Sequence, residues 1–412
     1  MKNFLYGTTA LATAGLIAGV AGNAAAADRI NIGVHGYHQQ WLSAVDQDYN
    51  VTGPNSGALQ STNLVDEKHN SEICFVGQTT LDNGITFGVN VQLEANTSGD
   101  QIDESYMFVQ SDSLGQLILG DENNAGYLLH VTAPNGGISL DSGDLINNTM
   151  WVNPGLTLYD TAVGTTNLRF RDNDSGKISY ISPRFAGVQL GVSFIPQFES
   201  GGDDNNSNKI GPTGSTNNNI NQGWAGGVNW TQDFNGFGVQ LSGGYLWGDN
   251  GADSVTGNDD NLNAYNVGAQ FSFAGFSFGG AYNKGDGGGG ANSKGSNTPS
   301  ADGGINLTNV QGTSAVTGNG RANSNSWTVG AAYEIGPYTV GIDYMKGEQN
   351  AVTTGGKGRL EQGVISGSYQ LGPGIRLVGG VFAFDADGEG NGDPGGQQND
   401  GWGGTVAFKL GF

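Results

Sequence analysis

Gly401-Trp402-Gly403-Gly404-Thr405-Val406-Ala407-Phe408-Lys409-Leu410-Gly411-Phe412 ends the chain, and its alternation decides the fold. Trp402, Val406, Phe408, Leu410 and Phe412 fall on one parity; Gly403, Thr405, Ala407, Lys409 and Gly411 fall on the other. Successive side chains of a strand point to opposite faces, so one face is apolar and the other small or polar. The pattern recurs upstream. Ile85, Phe87, Val89, Val91 and Leu93 alternate with Thr86, Gly88, Asn90, Gln92 and Glu94. Trp327, Val329, Tyr333 and Ile335 alternate with Thr328, Gly330 and Glu334. About sixteen such strands are expected, centred on 29–40, 72–80, 85–94, 104–111, 116–120, 167–182, 188–196, 223–231, 238–247, 262–273, 276–283, 326–335, 338–346, 359–370, 375–384 and 401–412.

The connections alternate in length. Tight turns at 81–84, 113–115, 183–187, 232–238, 274–275, 336–337 and 371–374 interleave with long polar loops at 41–71, 95–103, 121–166, 197–222, 248–261, 284–325, 347–358 and 385–400. An even-stranded meander with every tight turn on one side is the pattern of an all-β transmembrane antiparallel barrel with short periplasmic turns and long external loops. A soluble sandwich would show the same local alternation. Three features favour the membrane. The alternation persists with no second apolar layer to fill a soluble core. Aromatics such as Trp224, Tyr245, Trp247, Phe273, Phe276, Trp327, Tyr338 and Trp402 gather at strand ends, as interfacial girdles require. The first residues read as a secretory signal at 1–27: Lys2, an apolar run from Phe4 to Val20, then Ala24 to Ala27. The rest, 28–412, reads as one barrel domain with no apolar run long enough for a membrane helix.

Composition narrows the partners. The chain has 412 residues, 74 of them Gly, and 13% are charged, against roughly 25% in an average soluble domain. The net charge of −22 excludes a nucleic-acid partner, which needs a basic patch. The single cysteine, Cys74, excludes an internal disulfide framework, and no Cys/His cluster suggests zinc.

The connection 121–166 differs from the other long loops, which are nearly all Gly, Asn, Asp, Ser and Thr. It carries Tyr127-Leu128-Leu129-His130-Val131, Ile138, Leu140, Leu145-Ile146, Met150-Trp151 and Leu156-Thr157-Leu158-Tyr159. So much apolar surface argues against disorder, so the loop is expected to pack against the inside of the barrel. Its acids Asp121, Glu122, Asp141 and Asp144 then become candidates for a pore constriction, where acidic groups favour cations.

Several motifs also resemble those of Gram-negative general-diffusion porins, particularly the alphaproteobacterial kind. Gly36-Tyr37-His38-Gln39-Gln40-Trp41 resembles their first strand. Leu114-Gly115-Gln116-Leu117-Ile118-Leu119-Gly120 and Glu122-Asn123-Asn124-Ala125-Gly126-Tyr127 resemble the approach to their third loop and its start. Lys177-Ile178-Ser179-Tyr180-Ile181-Ser182-Pro183-Arg184-Phe185-Ala186-Gly187 is similar to the strand and turn that follow, although Asp174-Ser175-Gly176 departs from the usual Asn-Ser. The resemblance implies a homotrimer in the outer membrane, surrounded by lipid and lipopolysaccharide. It implies a third loop folded into the lumen and a C-terminal aromatic, here Phe412, read by the barrel-assembly machinery. It also implies a basic cluster on the wall facing the loop. Arg169, Arg171 and Lys177 share a parity, and Arg376 also falls on a polar face. Pairing of Arg169 and Arg171 with Asp172 or Asp174 is the structural alternative.

The expected function is a water-filled channel for small hydrophilic solutes and ions, preferring cations. A substrate-specific channel with a solute-binding constriction is the alternative; Tyr127, Trp151 and Tyr159 would line it. An enzyme is not expected, because His35, His38, His69 and His130 stand in no recognisable nucleophile arrangement. No cofactor is required. Acidic loops such as Asp203-Asp204-Asn205 and Asp259-Asp260 could collect Ca2+, with plain solvation as the alternative; Asp385-Ala386-Asp387-Gly388-Glu389 lacks the closing Glu of a calcium loop, since Gly396 stands there. A Gly/Asn/Asp-rich adhesin would need short repeats, and none is present.

Overall fold

A computed structural model describes residues 29–51, 62–95, 102–148, 150–154, 163–168, 172, 175–198, 221–249, 261–287, 322–350, 357–388 and 397–412. The expected leader at 1–27 and the acidic stretches at 203–205 and 259–260 lie outside them. The strands are β1 (Asn31–Val51), β2 (Val65–Thr80), β3 (Thr86–Glu94), β4 (Ile102–Ser111), β5 (Gly115–Asp121), β6 (Gly176–Ile181), β7 (Val188–Gln197), β8 (Asn221–Phe234), β9 (Phe237–Asp249), β10 (Leu262–Phe273), β11 (Phe276–Gly287), β12 (Ala322–Ile335), β13 (Tyr338–Asn350), β14 (Lys357–Gly372), β15 (Ile375–Asp387) and β16 (Gln397–Gly411). Two one-turn helices, α1 (Ala125–Leu128) and α2 (Asp144–Asn147), lie between β5 and β6.

Each strand pairs antiparallel with its sequence neighbours, and β1 pairs with β16, so the sheet closes and leaves no free edge. At the seam Tyr37 faces Gly411 and the register runs unbroken to Val51 and Gln397. Phe412 extends it: its N–H donates to the Gly36 carbonyl at 3.0 Å, and the Gly36 N–H donates back to the Phe412 carbonyl at 2.9 Å. The tight turns follow their sequences. Asn235-Gly236 and Ala274-Gly275 have φ of 56° and 92°, and 50° and 85°, the doubly positive geometry of a type I′ hairpin.

Alternation sorts the side chains as expected over most of the barrel. Val34, Leu190, Val267, Phe278, Ile342, Val381 and Val406 face outward and are exposed, while Asn90, Gln92, Asn266, Asn283, Thr328 and Gln362 face inward and are buried. Near the tight turns Phe234, Phe273, Phe276, Tyr338 and Phe412 ring the outer surface; toward the other rim Trp224, Tyr245, Tyr265, Trp327 and Trp402 form a second level. This is an apolar band between aromatic girdles, the outer surface of a membrane barrel.

Several strands run a few residues further toward the long loops than the sequence reading gave them, β11 to Gly287, β12 from Ala322, β13 to Asn350 and β16 from Gln397 among them, and two departures are larger. β1 and β2 run far into the stretch 41–71 assigned to a loop. There the alternation persists with polar outer residues: Trp41, Ser43 and Val45 are buried inside while Gln40, Leu42, Ala44 and Asp46 are exposed. The strand expected over 167–182 is only β6, and Leu168 instead belongs to the inserted loop, fully buried against Ile195, Ala225, Leu246 and Leu262.

The interior also holds an apolar core. Ile138, Leu140, Leu145, Ile146, Met150, Trp151 and Val163 of the loop pack on Trp41, Val45, Met345, Leu360, Val364, Val378, Phe382, Phe384 and Ala407 of the wall. Inward positions of β13 to β16 are therefore largely apolar where the loop lies on them, with Asp343, Gln362, Ser366, Asn399 and Lys409 among them bonding to its polar groups.

Candidate functional site

The loop leaves β5 at Asp121 and is laid along the inner wall. The Ala125 N–H donates to Ser193 Oγ of β7 at 2.9 Å, Asn229 Nδ2 of β8 donates to the Leu129 carbonyl at 3.2 Å, and the Val131 N–H donates to Ser242 Oγ of β9 at 2.9 Å. Further on, the Leu140 N–H reaches Asp343 Oδ2 of β13 at 3.2 Å and Trp151 Nε1 reaches Gln362 Oε1 of β14 at 3.3 Å. The pass ends at the seam, where the Val152 N–H donates to Gln47 Oε1 of β1 at 3.0 Å and Asn399 Nδ2 of β16 donates to the Val152 carbonyl at 2.7 Å. The chain then returns past β12 and β11, where Ser326 Oγ and Asn283 Nδ2 donate to the carbonyls of Thr165 and Asn167.

Glycines let the loop lie this close. Gly227, Gly268, Gly330 and Gly341 face it from four strands, and a Cβ on any of them would collide with loop backbone at Ala125, Val131, Pro134 and Gly136 respectively. Trp151 stacks on Phe384, with centroids 4.9 Å apart and planes at 18°. The loop is a fixed lining from β7 round to β1.

Its acids are engaged in holding it there. Asp144 Oδ1 accepts from Lys409 Nζ of β16 at 2.7 Å, and its Oδ2 accepts the Ser139 N–H at 2.9 Å. Lys409 also donates to the Gly137 carbonyl at 3.2 Å and lies 4.9 Å from the centre of the Trp41 ring. Asp141 is buried and accepts from the hydroxyls of Thr132 and Thr166 and, at 2.6 Å, from the Thr166 N–H. Burial works against its charge, but hydrogen bonds and the charge of His130, with the Thr132 and Thr166 bonds, hold its carboxyl below the usual range. Glu122 is buried where the loop leaves the wall, and its Oε1 accepts the Asn123 N–H at 2.7 Å. There desolvation dominates and pushes the carboxyl up. Asp121 ends β5 and stays half-buried.

The expected basic wall is not assembled from the residues described. Lys177 is buried, with Nζ donating to the backbone carbonyls of Asp172 and, at 2.8 Å, Ser175. Arg376 is exposed beside the turn after β14, where its Nε donates to Gln370 Oε1 at 3.2 Å. Arg169 and Arg171 lie outside the described residues.

What the sequence reading passed over is a belt of carboxylates on β2 to β4. Glu72, Glu94 and Glu104 take inward positions, and a register shift after Gln92 brings Asp103 to the same place. Carboxylate oxygens of Glu72, Glu94 and Asp103 lie within 4.8 Å of one another, so among the described residues these could share a divalent cation. Gln92 donates to Glu104, and Asn123 Nδ2 donates to Glu104 Oε1 at 3.0 Å, tying the belt to the root of the loop. Parity alone would have found Glu72, Glu94 and Glu104; Asp103 depends on the irregularity.

A closed barrel of sixteen strands with a lined, carboxylate-bearing lumen defines a membrane channel. The chain belongs to a family described as Gram-negative porin, whose pattern it matches over residues 7–389. Solved structures agree in fold. An anion-selective porin from Comamonas acidovorans is 15% identical, with a TM-score of 0.56, over 93% of this chain and 100% of that one. Salmonella typhi OmpF, in a complex with daunomycin, is 14% identical, with a TM-score of 0.53, over 92% and 97%. OmpT of Vibrio cholerae in its trimer form is 11% identical, with a TM-score of 0.52, over 93% and 100%. No curated protein sequence matches the chain. The protein is an outer-membrane channel for passive diffusion, and not an enzyme.

Proposed function

We propose that the channel prefers cations, and that the preference is set by the wall rather than by the loop. The observation that carries this reading is the belt of Glu72, Glu94, Asp103 and Glu104 on the lumen side of β2 to β4, joined by Asp121 at the root of the loop. Asp141 and Asp144 are turned to anchoring the loop. A negative lumen raises the local concentration of cations and lowers that of anions. The test is the reversal potential of the purified protein in a planar bilayer under a potassium chloride gradient. Potassium should permeate in preference to chloride, and Glu72→Gln with Glu94→Gln and Asp103→Asn should reduce the ratio. Chloride preference in the unaltered protein would overturn the reading. A solute-specific site has less support, because Trp151 is spent on Phe384 and Gln362.

The working unit in this reading is a homotrimer. β5 has 7 residues and β6 has 6, short of the roughly 9 to 11 that a tilted strand needs to cross the hydrocarbon. A second copy covering that face shields what the strands leave short, while lipid and lipopolysaccharide surround the rest. Phe412, which ends at the seam, serves as the signal to the assembly machinery before the seam closes. Mass measurement in mild detergent reads the trimer directly, and a monomer there counts against it.

A further inference from the structure

One stretch of the outer surface does not suit hydrocarbon. On β16 the outward residues Phe412, Leu410, Phe408, Val406 and Trp402 form an exposed apolar column running from one aromatic girdle to the other. The register sets β1 beside it row for row: His38 pairs with Leu410, Gln40 with Phe408 and Leu42 with Val406. On the next strand, β2, Ser71 pairs with His38, His69 with Gln40 and Glu67 with Leu42. Parity turns all of these away from the lumen, since Trp41, Ser43 and Glu72 of the other parity are buried inside. His38, Gln40, Ser71, His69 and Glu67 therefore make a polar stripe that starts between the girdles and runs to the outer rim. Farther round the barrel the band is apolar at Val267 of β10, Val329 of β12, Ile342 of β13 and Val381 of β15, all exposed.

The stripe presents its polar groups outward. Gln40 and His69 are exposed, and the rings of His38 and His69 stack with centroids 6.4 Å apart and planes at 17°. Gln40 Nε2 donates to Glu67 Oε2 and, at 3.2 Å, to the Lys68 carbonyl. The ring nitrogens of His38 and His69 have no hydrogen-bond partner among the described residues. Acyl chains supply none, and a polar group left unpaired in hydrocarbon is costly. A protein surface must therefore cover the stripe. The outward residues flanking it, among them Phe408, Val406, Phe75, Val89 and Met107, are apolar and supply no partner either. In a closed ring each copy meets its neighbours through two different faces, so a patch meets its own copies only at the axis. Glutamine, serine and neutral histidine each donate and accept, so these groups can pair with their own counterparts.

We propose that the stripe of His38, Gln40, Ser71 and His69 lies on the threefold axis of the homotrimer, where the three copies present it to one another and close a polar core away from lipid. The inference rests on the homotrimer reading and adds which face of each copy meets the others. β3 to β5 then lie on the flank facing one neighbour, and β16 on the flank facing the other.

The test is cross-linking of the full chain in mild detergent, in a Cys74→Ser background. Gln40→Cys and His69→Cys are each treated with a three-armed maleimide, and Val267→Cys on the opposite wall is the control. Either stripe variant should be joined into covalent trimers at a rate roughly a hundredfold or more above the control, since an assembly holds its members at millimolar effective concentration against micromolar protein in solution. Two variants keep the test open if one folds poorly. A second readout uses the same cysteines: a fluorescent label at Gln40→Cys should be quenched by brominated lipid several-fold less than one at Val267→Cys. The mass of the assembly separates the two claims. A trimer in which neither stripe position is joined faster than the control, or in which both labels are quenched equally, overturns the placement and leaves the homotrimer standing. A monomer overturns both.

Discussion

Gly341→Ala is the smallest change that should move the channel lining. Gly341 of β13 faces Gly136 of the loop with no side chain on either. A Cβ there would stand 2.5 Å from the Gly136 nitrogen, 2.8 Å from the Asn135 carbonyl carbon and 2.9 Å from the Ala331 oxygen. The first two are loop backbone and the third is the neighbouring strand, so the loop is the part free to retreat. Restoring ordinary contact asks it to withdraw by roughly 1 Å. The bonds from the Leu140 N–H to Asp343 and from Lys409 to the Gly137 carbonyl are already 3.2 Å long, and such a shift breaks them. Both involve ionisable groups, each worth about 1.5–3 kcal/mol, so docking of this segment should weaken by roughly 3–6 kcal/mol. Gly363→Ala on β14 is the control, since its Cβ would meet Tyr344 Cδ2 at an ordinary 3.7 Å. Single-channel conductance and exchange at the Leu140 amide read the outcome. Gly341→Ala should change the conductance and lose protection at Leu140, and Gly363→Ala should do neither. Identical traces and protection for both would refute a loop seated on wall backbone.

Two further outcomes follow from the engaged acids. Burial raises the carboxyl of Glu122, so in the fold it takes up a proton that the unfolded chain has already released. Its contribution to stability therefore falls as pH rises through that window, and Glu122→Gln should raise Tm at neutral pH. The gain should vanish below about pH 4, where the native side chain is protonated in both states, and a lowered Tm at pH 7 would count against it. For Asp144 and Lys409, paired at 2.7 Å with side chains 12% and 23% exposed, a double-mutant cycle of Asp144→Asn and Lys409→Met on thermal stability should give a coupling of about 1–3 kcal/mol. Additive losses would show that the pair does not hold the loop.

The barrel was legible because its signal is repeated: each strand carries only a weak alternation, but the pattern recurs with tight turns at regular places. Where that alternation meets polar outer residues, as at Gln40 and Asp46, the strand continues without a hydrophobic cue, and β1 and β2 were read short. The insertion of the loop was legible from Leu129, Ile138, Leu145 and Trp151, which no solvated loop would carry. The roles of its charges were not. Asp141 and Asp144 look alike in sequence, yet one is buried against His130 and two threonines, and the other reaches Lys409 of the last strand. Such partners are set by where the loop crosses the wall, which no local pattern encodes. Glu72, Glu94 and Glu104 share the inward parity of their strands, but only the pairing of β2 with β3 and of β3 with β4 brings them side by side.

The loop's last pass ends on both sides of the β1–β16 junction. Ser43 touches Met150, Gln47 and Asn399 both hold Val152, and Lys409 holds Asp144. These bonds cross the meeting line of the first and last strands from within. That line joins strands 346 residues apart in sequence at their nearest ends, Val51 and Gln397, and a segment gripping both margins shortens the search that brings two such distant stretches together. The lining thus acts as a splint as well as a filter. Deleting it should slow closure of the cylinder as well as widen the pore, which can be timed as the appearance of heat-resistant folded protein in refolding mixtures.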